Sequence, residues 1–304
     1  MIKEQYQPGV LKLIQHLDHL QKMQSSKIVA PIHVSIWPTV RCQLSCAYCC
    51  CRDEQPALDL SWGDFKNAVE VLAKYGTRAI EFAGGGEPLL WEHFSAGVEL
   101  VHDLGLKISL ITNGLALDII PDSVLNRLSW LRVSIQSIDH ARKIDWEGIA
   151  SLTRISASYM ATDTFELPRL YGFAKANDIV VRVAAPQPSK NNECIKEMVE
   201  ALGEPLFFAE KPQGAPKGCY MAWIRAAIDW RGYFLPCPSV MLVPGSVGKI
   251  NNAFRLCHVS GLEGWLNNNP AHDLGFKCVF CNCGKENNDL IHGLLTKVED
   301  ADFV

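Results

Sequence analysis

Between residues 32 and 37 polar and apolar side chains alternate as I-H-V-S-I-W, a run rich in β-branched residues, which predicts a strand with one buried face. From 60 to 76 the period changes. In L-S-W-G-D-F-K-N-A-V-E-V-L-A-K-Y-G apolar residues recur three and four positions apart, Ser61 stands where a helix cap belongs and Gly76 where a helix stops. The two periods then keep exchanging. Strands are predicted at 78–83, 107–112 and 130–136, with helices at 91–105 and near 121–129 between them. A helix near 145–156, a strand at 158–162, a helix near 165–177 and a strand at 179–185 complete the series. Six β/α repeats imply a parallel sheet with right-handed crossovers. About 155 residues hold them, against roughly 250 for a closed eight-unit barrel, so the expected fold class is α/β, an open partial (β/α)6 barrel.

Around this core, taken as 29–188, the pattern differs. Residues 7–23 carry apolar side chains at 10, 13, 14, 17 and 20, an amphipathic helix expected to pack on the barrel within an N-terminal segment 1–28. His16 and His19 are expected on its surface rather than as metal ligands. After the barrel, P-Q-P-S-K-N-N (186–192) breaks the composition and the next stretch is rich in glycine and proline, so 189–217 is expected as a linker. A small α+β unit, 218–285, contains two strand-like runs, A-W-I-R-A-A-I-D-W and G-Y-F-L-P-C, joined by R-G, which predicts a hairpin. A tail, 286–304, follows.

Composition narrows the chemistry. The 304 residues are 48% hydrophobic and 20% charged, enough for one large core or two smaller ones. A net charge of -4 brings no basic excess and no block of like charge occurs, so nucleic-acid binding is not indicated. No signal-peptide pattern occurs, and no run approaches the roughly 18 apolar residues that span a bilayer, so a cytoplasmic protein without a membrane partner is expected. Twelve cysteines in a reducing compartment point to metal or redox chemistry rather than a disulfide framework.

Five of them fall in R-C-Q-L-S-C-A-Y-C-C-C-R-D-E (41–54), where Cys42, Cys46 and Cys49 form C-x3-C-x2-C. A closed zinc site takes four ligands, usually as two C-x2-C pairs, which three thiols on one loop match poorly. A four-iron cluster held by three thiolates keeps one iron open. With Tyr48 ahead of the last cysteine, on a loop that follows a predicted strand, the motif resembles the signature of the radical S-adenosylmethionine (SAM) enzymes. The second strand runs into A-G-G-G-E-P (83–88). Alone this is a tight turn, but it emerges beside the cysteine loop, where ligands of parallel α/β folds bind, and it resembles the G-G-E motif of the same family. The resemblance implies a SAM-binding 4Fe-4S cluster on Cys42, Cys46 and Cys49 with Tyr48 beside it. It also implies that Gly85, Gly86 and Glu87 hold the SAM amino group, and that Asn113 and Ser134 lie near the ribose. Turn chemistry for Asn113 and an ordinary strand hydroxyl for Ser134 stand as alternatives. Arg142 could reach the SAM carboxylate, but is expected as a solvated side chain at a helix start.

In the second unit Cys219 and Cys237 flank the hairpin as C-x12-G-x4-C around Gly232, and Cys278 and Cys281 follow as C-x2-C, with Cys283 close behind. The pattern resembles the SPASM/twitch-type auxiliary-cluster domain of radical SAM enzymes. It implies a second 4Fe-4S cluster on Cys219, Cys237, Cys278 and Cys281, with Cys283 as an alternative ligand. Taken alone, the four thiols suit tetrahedral zinc as well.

The resemblance therefore implies an enzyme of oxidoreductase or epimerase type. It would reductively cleave SAM to a 5′-deoxyadenosyl radical, abstract hydrogen from a biosynthetic substrate, and draw electrons from a donor such as flavodoxin or ferredoxin. Two alternatives stand beside it: a maturase that cross-links or epimerises a ribosomally made peptide, and a noncatalytic iron–sulfur or zinc-binding protein. About 30 residues ahead of the barrel have no room for the peptide-recognition domain such maturases often carry, which favours a small molecule over a peptide. Cys50, Cys51, Cys194 and Cys257 are expected as buried structural thiols, with Cys257 the candidate hydrogen donor that an epimerase would need.

Overall fold

All the predicted strands join one sheet. The computed structural model describes residues 6, 9–49, 51, 58–186, 192–210, 214–241, 253–276, 278, 281 and 284–296. Six strands match the alternating runs: β1 (His33–Ile36), β2 (Ala79–Phe82), β3 (Lys107–Thr112), β4 (Trp130–Ile135), β5 (Ile155–Met160) and β6 (Val181–Ala184). Each pairs in parallel with the next, and the register sets Ser35 opposite Glu81 and Glu81 opposite Ser109. Alternate residues such as Val34, Ile36, Ile80, Phe82, Leu131 and Val133 form the core on the helix side of the sheet. The intervening positions Ser35, Glu81, Arg132 and Ser134 therefore face inward, into the barrel.

Helices form where the period of 3.6 and the caps agree. Ser61 Oγ accepts the Asp64 backbone N–H at 3.1 Å and starts helix Trp62–Lys74, which buries Phe65, Ala68, Val69 and Leu72 on the sheet. Asp145 caps helix Trp146–Leu152 in the same way, through the Gly148 N–H at 3.0 Å.

Four features depart from the expected layout. First, β5 begins at Ile155 rather than 158. Second, the expected linker 189–217 contains a further β/α unit, helix Asn192–Leu202 and strand β7 (Leu206–Phe208), parallel to β6. Its helix hides Ile195 and Val199, four apart, between turn-rich flanks that mask the pattern. Third, the hairpin of the second unit, β8 (Arg225–Ile228) and β9 (Tyr233–Leu235), is not set apart from the barrel. Strand β8 pairs in parallel with β1 on the side opposite β2, and β10 (Cys257–His258) adds to β9, giving the order β10-β9-β8-β1-β2-β3-β4-β5-β6-β7. Fourth, the expected tail contains most of helix Lys285–Leu295, with Ile291 and Asn288 buried.

The N-terminal helical segment, Val10–Leu13 and Leu17–Gln24 joined by a 3-10 turn, buries Leu13, Leu20 and Met23. It reaches both the barrel, through an Asp18–Arg78 ion pair at 2.5 Å, and the C-terminal third. Ahead of it, the Tyr6 carbonyl accepts from Arg132 Nη2 at 3.3 Å. His19 is not a surface residue. It is 5% exposed, its Nε2 lies 2.8 Å from the Trp223 carbonyl, and burial pushes its pKa down to about 4, so the ring is neutral near pH 7. His16 is half-exposed. Among the described residues no helix is long and apolar enough to cross a membrane.

Candidate functional site

The cysteine loop leaves β1 tied to both neighbours. Trp37 N–H donates to the Ile228 carbonyl of β8 at 2.9 Å, and the Thr39 carbonyl accepts from Gly86 N–H, past β2, at 2.8 Å. Asp59 then braces the root of the loop. Its Oδ1 accepts from Thr39 Oγ1 at 2.6 Å and Arg41 Nε at 3.1 Å, Arg41 Nη2 pairs with its second oxygen, and the same Nη2 donates to the Leu90 carbonyl at 2.7 Å. Sequence reasoning missed this brace because its members lie far apart in the chain and match no motif.

Beyond Arg41 the thiols come to the barrel mouth. Cys42 and Cys49 are exposed and Cys46 half-exposed, and the Cys49 N–H closes a turn on the Cys46 carbonyl at 3.0 Å. Burial first, and the neighbouring Cys42 second, raise the Cys46 thiol above its ordinary value. The Tyr48 hydroxyl donates to Gln136 Oε1 and is pushed up to about 12 by burial and then by Cys46.

The glycine loop locks onto the same root. Gly86 N–H and Glu87 N–H donate to the Thr39 and Arg41 carbonyls at 2.8 and 2.7 Å. A Cβ on Gly86 would stand 2.1 Å from the Arg41 carbonyl oxygen, and one on Gly84 would stand 1.9 Å from the Gly86 oxygen, so the approach requires glycine. Glu87 is 1% exposed. Its Oε1 accepts from Thr112 Oγ1 at 2.6 Å and Leu89 N–H at 3.2 Å, and its Oε2 from Asn113 N–H at 2.6 Å. These donors work against burial, which nonetheless raises the carboxyl pKa. Glu87 thus ties the second loop to the end of β3.

The remaining predicted positions divide. Asn113 joins the cluster: its Nδ2 donates to Gln43 Oε1 at 3.0 Å and lies 3.7 Å from Cys42 Sγ, while its Oδ1 accepts from Leu115 N–H at 2.9 Å. Ser134 lies on the inner face of β4, 3.2 Å from Ser158 Oγ of β5. Arg142 is exposed and paired with Asp139 at 3.2 Å.

Cys219, Cys237 and Cys281 are buried and Cys278 is half-buried. Burial pushes the Cys219 thiol up to about 12, with Cys278 and Cys281 adding to the rise, so three of the four expected ligands lie within electrostatic reach of one another. Cys237 shares a buried cluster with Cys219. Asn288 Nδ2 donates to Cys281 Sγ at 3.5 Å, and the Cys219 N–H to Asp273 Oδ1 at 2.8 Å. Cys50 and Cys283 lie outside the described residues. Among the described residues, no three His, Cys, Asp or Glu side chains close tightly enough to hold a metal ion. The donor chemistry still suits iron–sulfur or zinc: both groups present soft sulfur ligands, one on an open loop and one in a buried pocket.

Cys257 does not face the barrel mouth. It sits opposite Phe234 in the β9–β10 ladder and packs with it on the helix side of the sheet, where burial pushes its thiol up to about 12. Cys194 is exposed rather than buried, and Cys51 is buried.

Loops gathered at the C-terminal ends of parallel strands, carrying three open thiols against a glycine-rich turn, define a cofactor-binding α/β partial barrel. Residues 36–201, more than half of the chain, match the Radical SAM superfamily, and the chain belongs to that family. It is 34% identical over 110 residues to an S-adenosylmethionine-dependent nucleotide dehydratase of Selenomonas ruminantium, covering 35% of this chain and 39% of that protein. It is 29% identical over 167 residues to a GTP 3′,8-cyclase of Synechococcus, covering 51% and 47%. The chain thus spans less than half the length of these curated relatives. Streptococcus suis SuiB, solved with bound S-adenosylmethionine, has the same fold at a TM-score of 0.56 and 17% identity, over 83% of this chain and 72% of that one. So does anSMEcpe, solved with AdoMet and a peptide, at 0.55 and 16%, over 78% and 80%.

Proposed function

We propose that this protein is a SAM-dependent radical enzyme acting on an anionic small molecule of nucleotide type. The observation that carries the reading is the joint between the two loops: Cys42, Cys46 and Cys49 stand on a root to which Gly86 and Glu87 are hydrogen-bonded. When bound by Cys42, Cys46 and Cys49, an iron–sulfur cluster supplies the electron that splits SAM and starts hydrogen abstraction. The chain's own part is to position and to shield. Asp59 and Arg41 fix the cysteine loop, Gly85 and Gly86 offer backbone to the SAM amino group, and Glu87 anchors that backbone to β3. The last role differs from direct contact with SAM, because Glu87 is 1% exposed and its carboxylate already accepts three protein donors.

The substrate class is supported by the inner face of the barrel. Arg132 and Arg225 approach the buried carboxylate of Glu81, Arg225 at 3.1 Å, and Arg182 takes the matching inward position on β6. Glu81 offsets one of the three guanidinium charges, and the positive excess left in the lumen suits a phosphate-bearing ligand; both curated relatives are named for nucleotides. Cys257, on the opposite face of the sheet, gives no support to hydrogen return, and a relative named as a dehydratase favours oxidation or group loss over epimerisation. Cys219, Cys237, Cys278 and Cys281 would hold a second cluster, and a flavodoxin- or ferredoxin-type donor in the cytoplasm would deliver electrons.

The test is anaerobic reconstitution with iron and sulfide, reduction, and chromatography of 5′-deoxyadenosine with and without nucleoside triphosphates. SAM cleavage that nucleotides stimulate, and that is lost in the Cys42→Ala, Cys46→Ala, Cys49→Ala triple variant, is the expected result. Undiminished cleavage by that variant rejects the site, and stimulation by peptides but not nucleotides rejects the substrate class.

A further inference from the structure

The turn between β8 and β9 is more tightly built than a surface hairpin needs. Asp229 is fully buried, and its carboxylate accepts from Arg231 N–H at 3.0 Å, from Arg231 Nε and Nη2 at 3.1 and 3.0 Å, and from Tyr233 N–H at 2.9 Å. Gly232 supplies the positive φ, +77°, that closes the turn. These bonds hold Trp230, 2% exposed, with the Arg231 guanidinium 5.1 Å from its ring centroid. The ring lies directly on the glycine loop. A Cβ on Gly85 would stand 2.8 Å and 3.0 Å from Trp230 Cζ3 and Cε3, and 3.3 Å from Val40 Cγ1.

Gly85 is thereby held from two sides. Its neighbours Gly86 and Glu87 hang on the cysteine-loop root, while Trp230 covers it from the C-terminal hairpin. Such a contact leaves no room for the loop to shift toward β8, and the turn that delivers Trp230 shares no sequence motif with the loop it touches. We infer that Trp230 is a positioning residue for the SAM site, fixing the Gly84–Gly86 backbone in the conformation that receives SAM. This rests on the SAM-cleaving reading given above.

The contact makes an asymmetric demand that a double-mutant cycle reads. The backbone at Gly85 has no positive φ, so alanine is hindered there by the ring rather than by conformation. SAM affinity by equilibrium dialysis, iron content and unfolding midpoint are measured for the wild type, Gly85→Ala, Trp230→Leu and the double variant. Gly85→Ala is expected to weaken SAM binding about tenfold or more, corresponding to about 1.4 kcal/mol, with iron content unchanged. Trp230→Leu, which leaves the loop uncovered, is expected to weaken it several-fold. Because a smaller residue opens space for the new methyl, the double variant is expected to bind SAM no more weakly than Trp230→Leu alone, with the unfolding midpoint lost in Gly85→Ala partly recovered. Multiplying defects, or Trp230→Leu with wild-type SAM affinity, overturns the inference alone. A wild-type protein that assembles its iron yet binds no SAM overturns the functional reading and this inference with it.

Discussion

Replacing Gly86 by alanine tests the joint between the two loops most directly. The added Cβ would stand 2.1 Å from the Arg41 carbonyl oxygen, 2.5 Å from Val40 C and 2.6 Å from Arg41 C, all backbone atoms that cannot rotate away. The methyl cannot be seated at such distances, so the loops must part, and the Gly86–Thr39 and Glu87–Arg41 hydrogen bonds at 2.8 and 2.7 Å are lost or bent. Two backbone bonds are worth about 2 kcal/mol together, and overpacking costs about 1–3 kcal/mol more, giving about 3–5 kcal/mol. The strain falls on loops at the strand ends, so the sheet persists while the SAM-receiving geometry is lost. Formation of 5′-deoxyadenosine is expected to fall roughly 100-fold or more if about 3 kcal/mol is taken from the productive conformation. Gly172→Ala is the control, since nothing lies within 4 Å of where its methyl would stand in helix Leu167–Ala176. A Gly86→Ala protein that forms 5′-deoxyadenosine at the control's rate would refute the joint.

Three further outcomes follow from other parts of the structure. Asp59→Asn, at a partly exposed ion pair, is expected to leave the thermal midpoint nearly unchanged, since such pairs contribute about 1 kcal/mol or less, yet to slow SAM cleavage measurably by loosening the cysteine-loop root. Glu81 is buried, which opposes ionisation, but Arg225, His33 and Arg132 hold its pKa at about 2 against an ordinary 4.5. Its ionised form therefore stabilises the fold above pH 4.5, and that contribution is lost as pH falls toward about 2. Urea unfolding of Glu81→Gln at neutral pH should show a loss of about 3–5 kcal/mol as Arg225 and Arg132 lose their counter-charge, and a variant as stable as wild type would reject this account. His19, with a folded pKa of about 4 against 6.5 unfolded, favours the docked N-terminal helix above pH 6.5, and this contribution is lost as pH falls toward 4. Limited proteolysis should therefore cut the first 25 residues faster at pH 5 than at pH 7.5, a difference that His19→Leu removes.

The barrel was legible because its signals are local. Strands β1, β3 and β4 and the Ser61-capped helix lie where period and cap place them, and the thiol and glycine loops stand at the strand ends that the order of elements predicts. What escaped was written between distant segments. Helix Asn192–Leu202 hides behind proline- and glycine-rich flanks, and β7 is only three residues long. His19 looks like a surface histidine until Trp223, 204 positions away, supplies its acceptor. Glu87 illustrates the limit for the site: its motif marks the position, but only the folded chain shows that Thr112, Asn113 and Leu89 already occupy both of its oxygens.

The pairing of β8 with β1 changes what the two groups of cysteines can mean for each other. A separate C-terminal domain would meet the barrel across an interface and could move on its own. Here the strand that launches Cys42 is hydrogen-bonded on one side to β2, which launches the glycine loop, and on the other to β8, whose partner β9 ends two residues before Cys237. Backbone hydrogen bonds across a sheet resist sliding, because a shift of one residue would turn every inward side chain outward. Glu81, Ser35 and Arg225 enforce that register from inside the barrel, through bonds of 3.0 and 3.1 Å that cross β2, β1 and β8. The root of the cysteine loop and the hairpin that Cys219 and Cys237 flank are therefore held in register by the same ladder that shapes the lumen.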